Sequence, residues 1–405
     1  MPPDSTTFAI AISVAATAAT LLLALRRRRL RAPLLNRPTI PYVRHSLPDG
    51  VEIVVLYEDC FDTQPTFAFS PGTGLAAAEV PQALRDRDMK PASLFDGPRC
   101  ASMQFGCCLV RLPQGINVLL DTSLGTVDTP QYLPRPPAHS VPSMLRDLGL
   151  SASDIHFVVH THLHGDHIGG NTKDDGCGGR MRVYPNAVHC VHKREYDYAQ
   201  FPGCPWAADV RKKFEHIVKA GALRLLDGPT AHIDASVPQL EAVLMQGHTP
   251  GHIVVRIGSD TEGAAAIYVG DAMHFPAQVE HPEWSPHFDA CCWQGGKNRP
   301  DVSWTKAMQA NKDGWHVLRS HESRVALLSM LERESALLVS PHFPSPSIGR
   351  VLRAPAAAMK GTDVAADAAA KPRFTYLPLA VQAATGSVAV EPASVAAADK
   401  CGECR

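Results

Sequence analysis

The stretch from His160 to Gly170 constrains this chain more than any other. It reads His-Thr-His-Leu-His-Gly-Asp-His-Ile-Gly-Gly, and four side chains that can bind a metal ion lie close together in it: His162, His164, Asp166 and His167. The β-branched and aromatic run before it, residues 155–159, predicts a short buried strand. Alternate positions after such a strand point the same way, so His162 and His164 can converge on one ion. If the chain then turns into a helix, Asp166 and His167 can hold a second ion.

The alternative is a histidine-rich surface loop that binds no metal, because the chain contains 19 histidines. Further residues of the ligand type argue against that alternative, since they follow downstream in short motifs. They are His248 in Gly-His-Thr-Pro-Gly-His, Asp271 in Tyr-Val-Gly-Asp, and His342 in Ser-Pro-His-Phe-Pro.

Taken together, these motifs resemble the signature of the metallo-β-lactamase-fold hydrolases, over residues 45–352. The run from Ser340 to Gly349 is similar to the lactonase and organophosphate-hydrolase branch of that superfamily. The resemblance implies an α+β fold, a four-layer αββα sandwich. It also implies that one ion is held by His162, His164 and His248, and the other by Asp166, His167 and His342, with Asp271 bridging both.

Histidine and carboxylate ligands without cysteine suit zinc, with iron or manganese as alternatives, so we expect two zinc ions per chain. Two ions about 3.5–4 Å apart can hold a bridging water and make it a hydroxide nucleophile near neutral pH. Asp166 or Asp271 can take the proton. The motifs therefore predict a dinuclear hydrolase that acts on a small molecule, namely a lactone, an ester or a phosphotriester.

Two other functions stay open. The first is a thioester hydrolase or an iron persulfide dioxygenase-like enzyme of the same fold. Redox members of the fold with two irons carry Glu at the second ligand position. In this chain His164 stands at that position, so hydrolysis is favoured over oxygen chemistry. The second is a membrane-tethered scaffold that keeps zinc only for stability. The complete ligand set argues against it, since a structural ion seldom needs an open coordination position.

Residues 8–25 carry no charged side chain and are just long enough for a membrane helix, which needs about 17–25 residues. Arginine follows at positions 26–29 and 31. Positive charge on that side predicts a single-pass anchor with the catalytic domain in the cytosol; a mitochondrial membrane is the alternative. The formal net charge of −1 gives no field that would attract nucleic acid.

Composition divides the chain into four parts: an anchor segment at 1–32, a linker at 33–44, a catalytic domain at 45–353 and a partly disordered Ala-rich extension at 354–405. We predict a hairpin over 107–120, a surface loop at 172–180, a strand at Val183–Tyr184 and an edge strand at 374–379. The eleven cysteines are expected to be reduced thiols, because their number is odd and two pairs are adjacent.

Several residues near the motifs have two interpretations. Asp121, which ends a predicted strand, either orients a ligating histidine or caps a turn. The remaining histidines beside the motifs are expected to pack or to support the ligands: His160, His252 and His274. Trp206 is a candidate for the wall of a substrate pocket, with core packing as the alternative. Trp284 is expected to line a pocket over the metals.

Overall fold

The computed structural model describes residues 40–63, 101–125, 133, 136–177, 179–200, 204, 206–258, 263–282, 284, 286, 289, 320–353, 374–379 and 382–383. The predicted anchor at 8–25, most of the predicted linker and most of the Ala-rich extension lie outside these residues.

The described strands are short, and most coincide with β-branched or apolar runs. They are β1 Tyr42–Ser46, β2 Glu52–Thr63, β3 Ala101–Arg111, β4 Asn117–Leu120, β5 Phe157–His160, β6 Thr172–Asp174, β7 Arg180–Arg182, β8 Val188–His192, β9 Leu223–Leu226, β10 Thr230–His232, β11 Leu240–Leu244, β12 Ile253–Ile257, β13 Ala266–Tyr268, β14 Leu337–Val339, β15 Ile348–Arg353, β16 Phe374–Pro378 and β17 Gln382–Ala383.

The described α-helices lie between these strands. They are α1 Val141–Asp147, α2 Gly165–Ile168, α3 Lys193–Gln200, α4 Ala207–Lys219, α5 Ala277–Glu280 and α6 Ser320–Arg333. Ser140 begins α1 because its hydroxyl accepts a hydrogen bond from the Ser143 amide, which would otherwise lack a partner in the first turn.

The strands form two large sheets. The first has the order β17-β1-β2-β3-β4-β5-β8-β9, and the second has the order β10-β11-β12-β13-β14-β15-β16. In the first sheet β1 to β4 are antiparallel, whereas β4, β5, β8 and β9 run parallel. In the second sheet, β13 and β14 are the parallel pair. The connections between parallel strands carry the helices, as parallel pairing requires.

The main core lies between the two sheets, because alternate side chains of each strand point to opposite faces. In β2, Val55 and Tyr57 pack into the cluster shared with the second sheet, while Val54 and Leu56 pack with α1 on the outer face. On the far side, Leu328 and Leu331 of α6 cover the outer face of the second sheet. Helices therefore cover both sheets, which is the predicted four-layer sandwich.

Two local predictions were wrong. Val183 and Tyr184 form a bend rather than a strand, and the neighbouring strand β7 ends at Arg182. The predicted loop at 172–180 contains β6, which pairs with β7 as a small separate sheet. Arg180 Nε donates a hydrogen bond to the Thr172 hydroxyl across this ribbon, and the apolar content of the ribbon is too low for the pattern to predict it.

The predicted edge strand at 374–379 is present as β16, which lies at the edge of the second sheet with Pro378 at its end. Strand β17 pairs with β1 in the first sheet, so described residues of the predicted extension contribute to both sheets. No helix in the described part of the chain combines the length and apolar character needed to cross a bilayer.

Candidate metal centre

The motif at 160–170 lies where strand β5 ends. His164 has an extended backbone, and α2 begins at the next residue, Gly165, and carries Asp166 and His167 on its single turn. The backbone after α2 packs directly on the loop that follows β4. A Cβ at Gly169 would lie 1.8 Å from the Leu124 carbonyl oxygen, so only glycine allows this contact. The two loops therefore fix where Asp166 and His167 point.

Four of the predicted ligands form what we call the first ligand group: His162, His164, His248 and Asp271. Their ligand nitrogen and oxygen atoms lie within 4.8 Å of one another. The Nε2 atoms of His162 and His248 each lie 2.9 Å from Nδ1 of His164. His162 and His164 come from the turn after β5, and His248 comes from the loop between β11 and β12. Strand ends from both sheets thus meet at one point.

The second ligand group consists of Asp166, His167 and His342, within the same distance limit. Nε2 of His167 lies 3.3 Å from Nε2 of His342 and 3.8 Å from Oδ2 of Asp166. His342 follows β14 in the second sheet. The structure therefore brings together all seven residues that the sequence motifs predicted as ligands.

Asp271 lies between the two ligand groups and divides its carboxylate oxygens between them. Oδ1 lies 2.9 Å from His167 Nε2 and 2.8 Å from His342 Nε2. Oδ2 lies 3.1 Å from His248 Nε2 and 3.5 Å from His162 Nε2. A carboxylate in this position can bridge two cations, one through each oxygen.

The chemistry of the donor set fits divalent metal ions. Four of the histidines have Nδ1 tied to a protein oxygen, which leaves Nε2 to face the centre of the cluster. The oxygens lie 2.9 Å away for His167 (Asp121), 2.8 Å for His248 (Asp289), 2.6 Å for His342 (the Gln104 carbonyl) and 3.1 Å for His162 (the Thr161 hydroxyl). Buried lone pairs that face one another repel, and a cation between them removes that cost.

Asp121 orients ligands, which is the first of its two predicted roles. Its backbone has a φ of 63°, and its buried carboxylate accepts hydrogen bonds from the Thr161 amide and hydroxyl. It also accepts from Nδ1 of His167 and from the Tyr268 hydroxyl. Because the Thr161 hydroxyl contacts His162, this single carboxylate supports a histidine of each ligand group.

The other histidines near the motifs have distinct environments. Burial lowers the pKa of His252 to about 3, so its ring stays neutral and its Nε2 accepts a hydrogen bond from the Asp271 amide. His274 Nε2 lies 3.1 Å from Asp271 Oδ2, and Asp271, His274 and His342 form a further group that could hold a metal ion. His160 instead packs against His189, with ring centroids 5.4 Å apart.

Two buried acidic residues near the ligands were not predicted. Asp289 contacts His248; burial opposes its ionisation, but the His248 contact and the Arg324 charge hold its pKa at about 2. Glu195 of α3 accepts hydrogen bonds from the Leu163 amide, the Thr249 hydroxyl and the Gly251 amide, and so joins two ligand loops. Burial raises the pKa of Glu195. Neither residue belongs to a recognisable motif, and their roles appear only when separate loops meet.

His164 and Asp166 are the least buried of these ligands, so the cluster opens to solvent on their side. The indole ring of Trp206 lies on that side, with its centroid 4.3 Å from that of His164 in an edge-to-face arrangement. Trp284 is instead buried and stacked on His281, so the predicted role of Trp284 as a pocket wall was wrong.

Comparison with known families agrees with the fold and with the motifs. The model of the metallo-beta-lactamase superfamily matches residues 107–333, which is more than half of the chain. The chain belongs to that superfamily, as the motif resemblance predicted.

Lactonases are among the proteins to which this chain is similar in sequence. The chain is 33% identical over 113 residues to the N-acyl homoserine lactonase AttM of Azorhizobium caulinodans, covering 27% of this chain and 38% of that protein. It is 22% identical over 203 residues to an N-acyl homoserine lactonase of Bacillus cereus, covering 46% of this chain and 71% of that protein. The chain spans about two fifths of the length of the AttM relatives, 38% and 40% for two of them.

Solved structures share the architecture at low sequence identity. A hydrolase of the beta lactamase superfamily, AbOPH, gives a TM-score of 0.59 at 17% identity, covering 85% of this chain and 99% of that one. AidC, described as a dizinc quorum-quenching lactonase, gives 0.57 at 20% identity, covering 84% and 98%. At these identities the likeness shows the fold alone.

Proposed function

We propose that this protein is a hydrolase with two divalent metal ions that opens the ester bond of a lactone. The observation that supports it most is the position of Asp271, whose two oxygens face two separate sets of histidines. A carboxylate shared in this way is the feature that a two-ion site needs and a one-ion site does not.

The metal chemistry assigns separate roles to the side chains. When bound, two divalent ions would lower the pKa of a water between them and polarise an ester carbonyl. Both oxygens of Asp271 face histidines of the ligand groups, whereas Asp166 is the more exposed carboxylate. Asp166 therefore accepts the proton that the attacking water loses. It returns that proton to the alkoxide released when the ring C–O bond breaks.

The proposed substrate class is an N-acyl homoserine lactone. The sequence relatives named above carry that activity, and the opening beside His164 and Asp166 has an aromatic surface at Trp206. An apolar acyl chain gains free energy by burial against an indole ring, at about 25 cal/mol per Å². The ester then lies above the carboxylate and histidine atoms of the two ligand groups. Zinc is the proposed metal because histidine and carboxylate ligands suit it.

The test measures hydrolysis by the purified full chain after zinc loading and counts the bound metal. The panel contains N-hexanoyl-homoserine lactone, a simple γ-lactone without the acyl amide, an aryl ester and a phosphotriester. His164→Ala should lose metal-dependent turnover, because it removes a nitrogen from the first ligand group. His232→Ala is the matched control, since His232 lies exposed on β10 outside both ligand groups.

We expect the acylated lactone to be the preferred substrate and turnover to require metal. Turnover of the phosphotriester or the aryl ester alone would reject the lactone assignment but keep the hydrolase. A protein that binds less than two ions per chain at saturating zinc would contradict the two-ion centre. Equal turnover by the His164→Ala and His232→Ala variants would contradict the site itself.

We also propose that residues 8–25 anchor the protein in a membrane, with the catalytic domain in the cytosol. The uncharged segment followed by arginines supports this proposal. Carbonate extraction of membranes tests it: an anchored chain stays in the pellet. A variant that lacks residues 8–25 should move to the supernatant, and full release of the intact chain would reject the anchor.

A further inference from the structure

Arg324 is a fully buried cation on α6, close to the proposed metal centre but outside both ligand groups. It lies on the face of the helix that also buries Leu327, Leu328 and Leu331. A guanidinium in this position is costly unless acceptors surround it, so its contacts need explanation.

Contacts of Arg324 lead towards the first ligand group. Its Nη1 donates to Oδ2 of Asp289 at 3.0 Å, and its Nε donates to the Pro282 carbonyl at 2.6 Å. The same Nη1 lies 3.5 Å from the carbonyl of Ala272, the residue after the bridging Asp271. The other oxygen of Asp289 lies 2.8 Å from Nδ1 of His248.

These contacts form a continuous series from α6, through Asp289, to His248 of the first ligand group. The guanidinium holds one carboxylate oxygen of Asp289, and the carboxylate fixes Nδ1 of His248 with the other. A histidine that donates from Nδ1 must present the lone pair of Nε2, which is the atom directed at the first ligand group. A planar guanidinium can hold Asp289 and a backbone carbonyl together, whereas a lysine ammonium is a single point charge.

We propose that Arg324 is a positioning residue that sets the metal affinity of the first ligand group, through Asp289 and His248. This inference rests on the proposed metal centre. A bound ion would then be held by residues of the two sheets and, indirectly, by the α6 helix. The alternative is a buried ion pair that serves only the stability of the fold.

The test measures the affinity of the full-length protein for Zn²⁺, by competition with a chelator and by counting ions per chain. Arg324→Lys and Asp289→Asn should each weaken the binding of one ion by about 10- to 100-fold, because each removes an outer partner of a metal ligand. The double variant should weaken it little further, since both residues act through one contact series. The other ion should bind as in the wild type.

Two ligand variants identify which ion is affected. In a His248→Ala background, Arg324→Lys should have no further effect on the remaining ion. In a His342→Ala background, which impairs the second ligand group, Arg324→Lys should still weaken the remaining ion. Arg256→Lys is the matched control, because Arg256 also forms ion pairs, with Glu241 and Glu334, outside both ligand groups.

If Arg324→Lys and Asp289→Asn lower folding stability but leave both zinc affinities unchanged, the ion pair is structural only. If Arg324→Lys does not fold, the affinity of Asp289→Asn decides alone. If the wild type binds two ions and the variants bind both with the same affinity, only this inference is rejected. A wild-type chain that binds none rejects the proposed metal centre as well.

Discussion

Asp121→Asn gives a strong test of how the metal centre is built, because it changes one oxygen to an NH2 group and almost nothing in volume. The Asp121 oxygen Oδ2 accepts from Thr161 Oγ1 at 2.9 Å, His167 Nδ1 at 2.9 Å and the Tyr268 hydroxyl at 3.1 Å. The other oxygen, Oδ1, accepts from the Thr161 amide, and the asparagine carbonyl can keep that bond. An NH2 group at the Oδ2 position then faces three donors.

The three donors must reverse their hydrogens, and that reversal reaches both ligand groups. A hydroxyl can rotate, but His167 must move its proton from Nδ1 to Nε2, the atom that would bind metal. When the Thr161 hydroxyl accepts from the new amide, it donates to Nδ1 of His162, 3.1 Å away, so His162 also carries its proton on Nε2. Two ligands are thus held in the tautomer that cannot bind.

The expected loss of metal affinity follows from the known effect of hydrogen-bond partners of metal ligands, each of which contributes about 10- to 100-fold to affinity or activity. Asp121→Asn should therefore lower the affinity for both ions by about that factor. It should cost about 1–3 kcal/mol of folding stability in the metal-free protein, the usual cost of a poorly matched buried polar group. Zinc competition with a chelator and urea unfolding measure the two effects. Asp154→Asn, at an exposed aspartate that caps a turn, is the control.

A variant that binds both ions as tightly as the wild type would refute this reasoning. The carboxylate would then serve only the turn after β4, as the second sequence-based interpretation of Asp121 held. Loss of one ion alone would show that the Thr161 contact does not transmit the change to His162.

Further predictions concern stability, substrate binding and metal removal. Burial raises the pKa of Glu58 to about 7, from 4.5 in the unfolded chain, so the folded state binds the extra proton and stability falls as pH rises between those values. Relative to Glu58→Gln, the free energy of unfolding of the wild type should fall by about 3 kcal/mol over that pH range, as measured by urea unfolding. Parallel pH profiles of the two proteins would show that Glu58 is not the cause. Gly251→Ala should reduce zinc affinity and stability together, because its Cβ would lie 2.1 Å from the Glu195 backbone nitrogen; unchanged melting would disprove the close packing. Trp206→Ala should raise KM for long-chain acyl lactones more than for short-chain ones, and an equal effect on both would remove Trp206 from the acyl site. Chelation should abolish turnover and lower the melting temperature, and zinc should restore both.

The local parts of the centre could be predicted from the sequence, because they depend on spacing within one segment. The motif at 160–170 allows a helical turn that carries Asp166 and His167, and the chain forms this turn at Gly165–Ile168, directly after the extended His164. The edge strand predicted at 374–379 also depends on a local pattern, and β16 spans Phe374–Pro378. Strand β15 has no counterpart among the predictions. Gly349 interrupts its alternation, since a Cβ there would lie 2.5 Å from the Leu377 carbonyl oxygen.

The support of the ligands could not be predicted, because each supporting contact joins residues far apart in the chain. On α6 Leu328 and Leu331 are buried, whereas the apolar Val325 is partly exposed and the charged Arg324 is fully buried. The helical spacing of Arg324 from Leu328 and Leu331 was visible in the sequence. A charged residue on an apolar face indicates a buried partner, and pattern alone does not identify that partner. Here it is Asp289, from a region with little periodicity. The apolar face of α6 therefore fixes the helix on the sheet, and the same packing positions the Arg324 guanidinium against Asp289, which contacts His248.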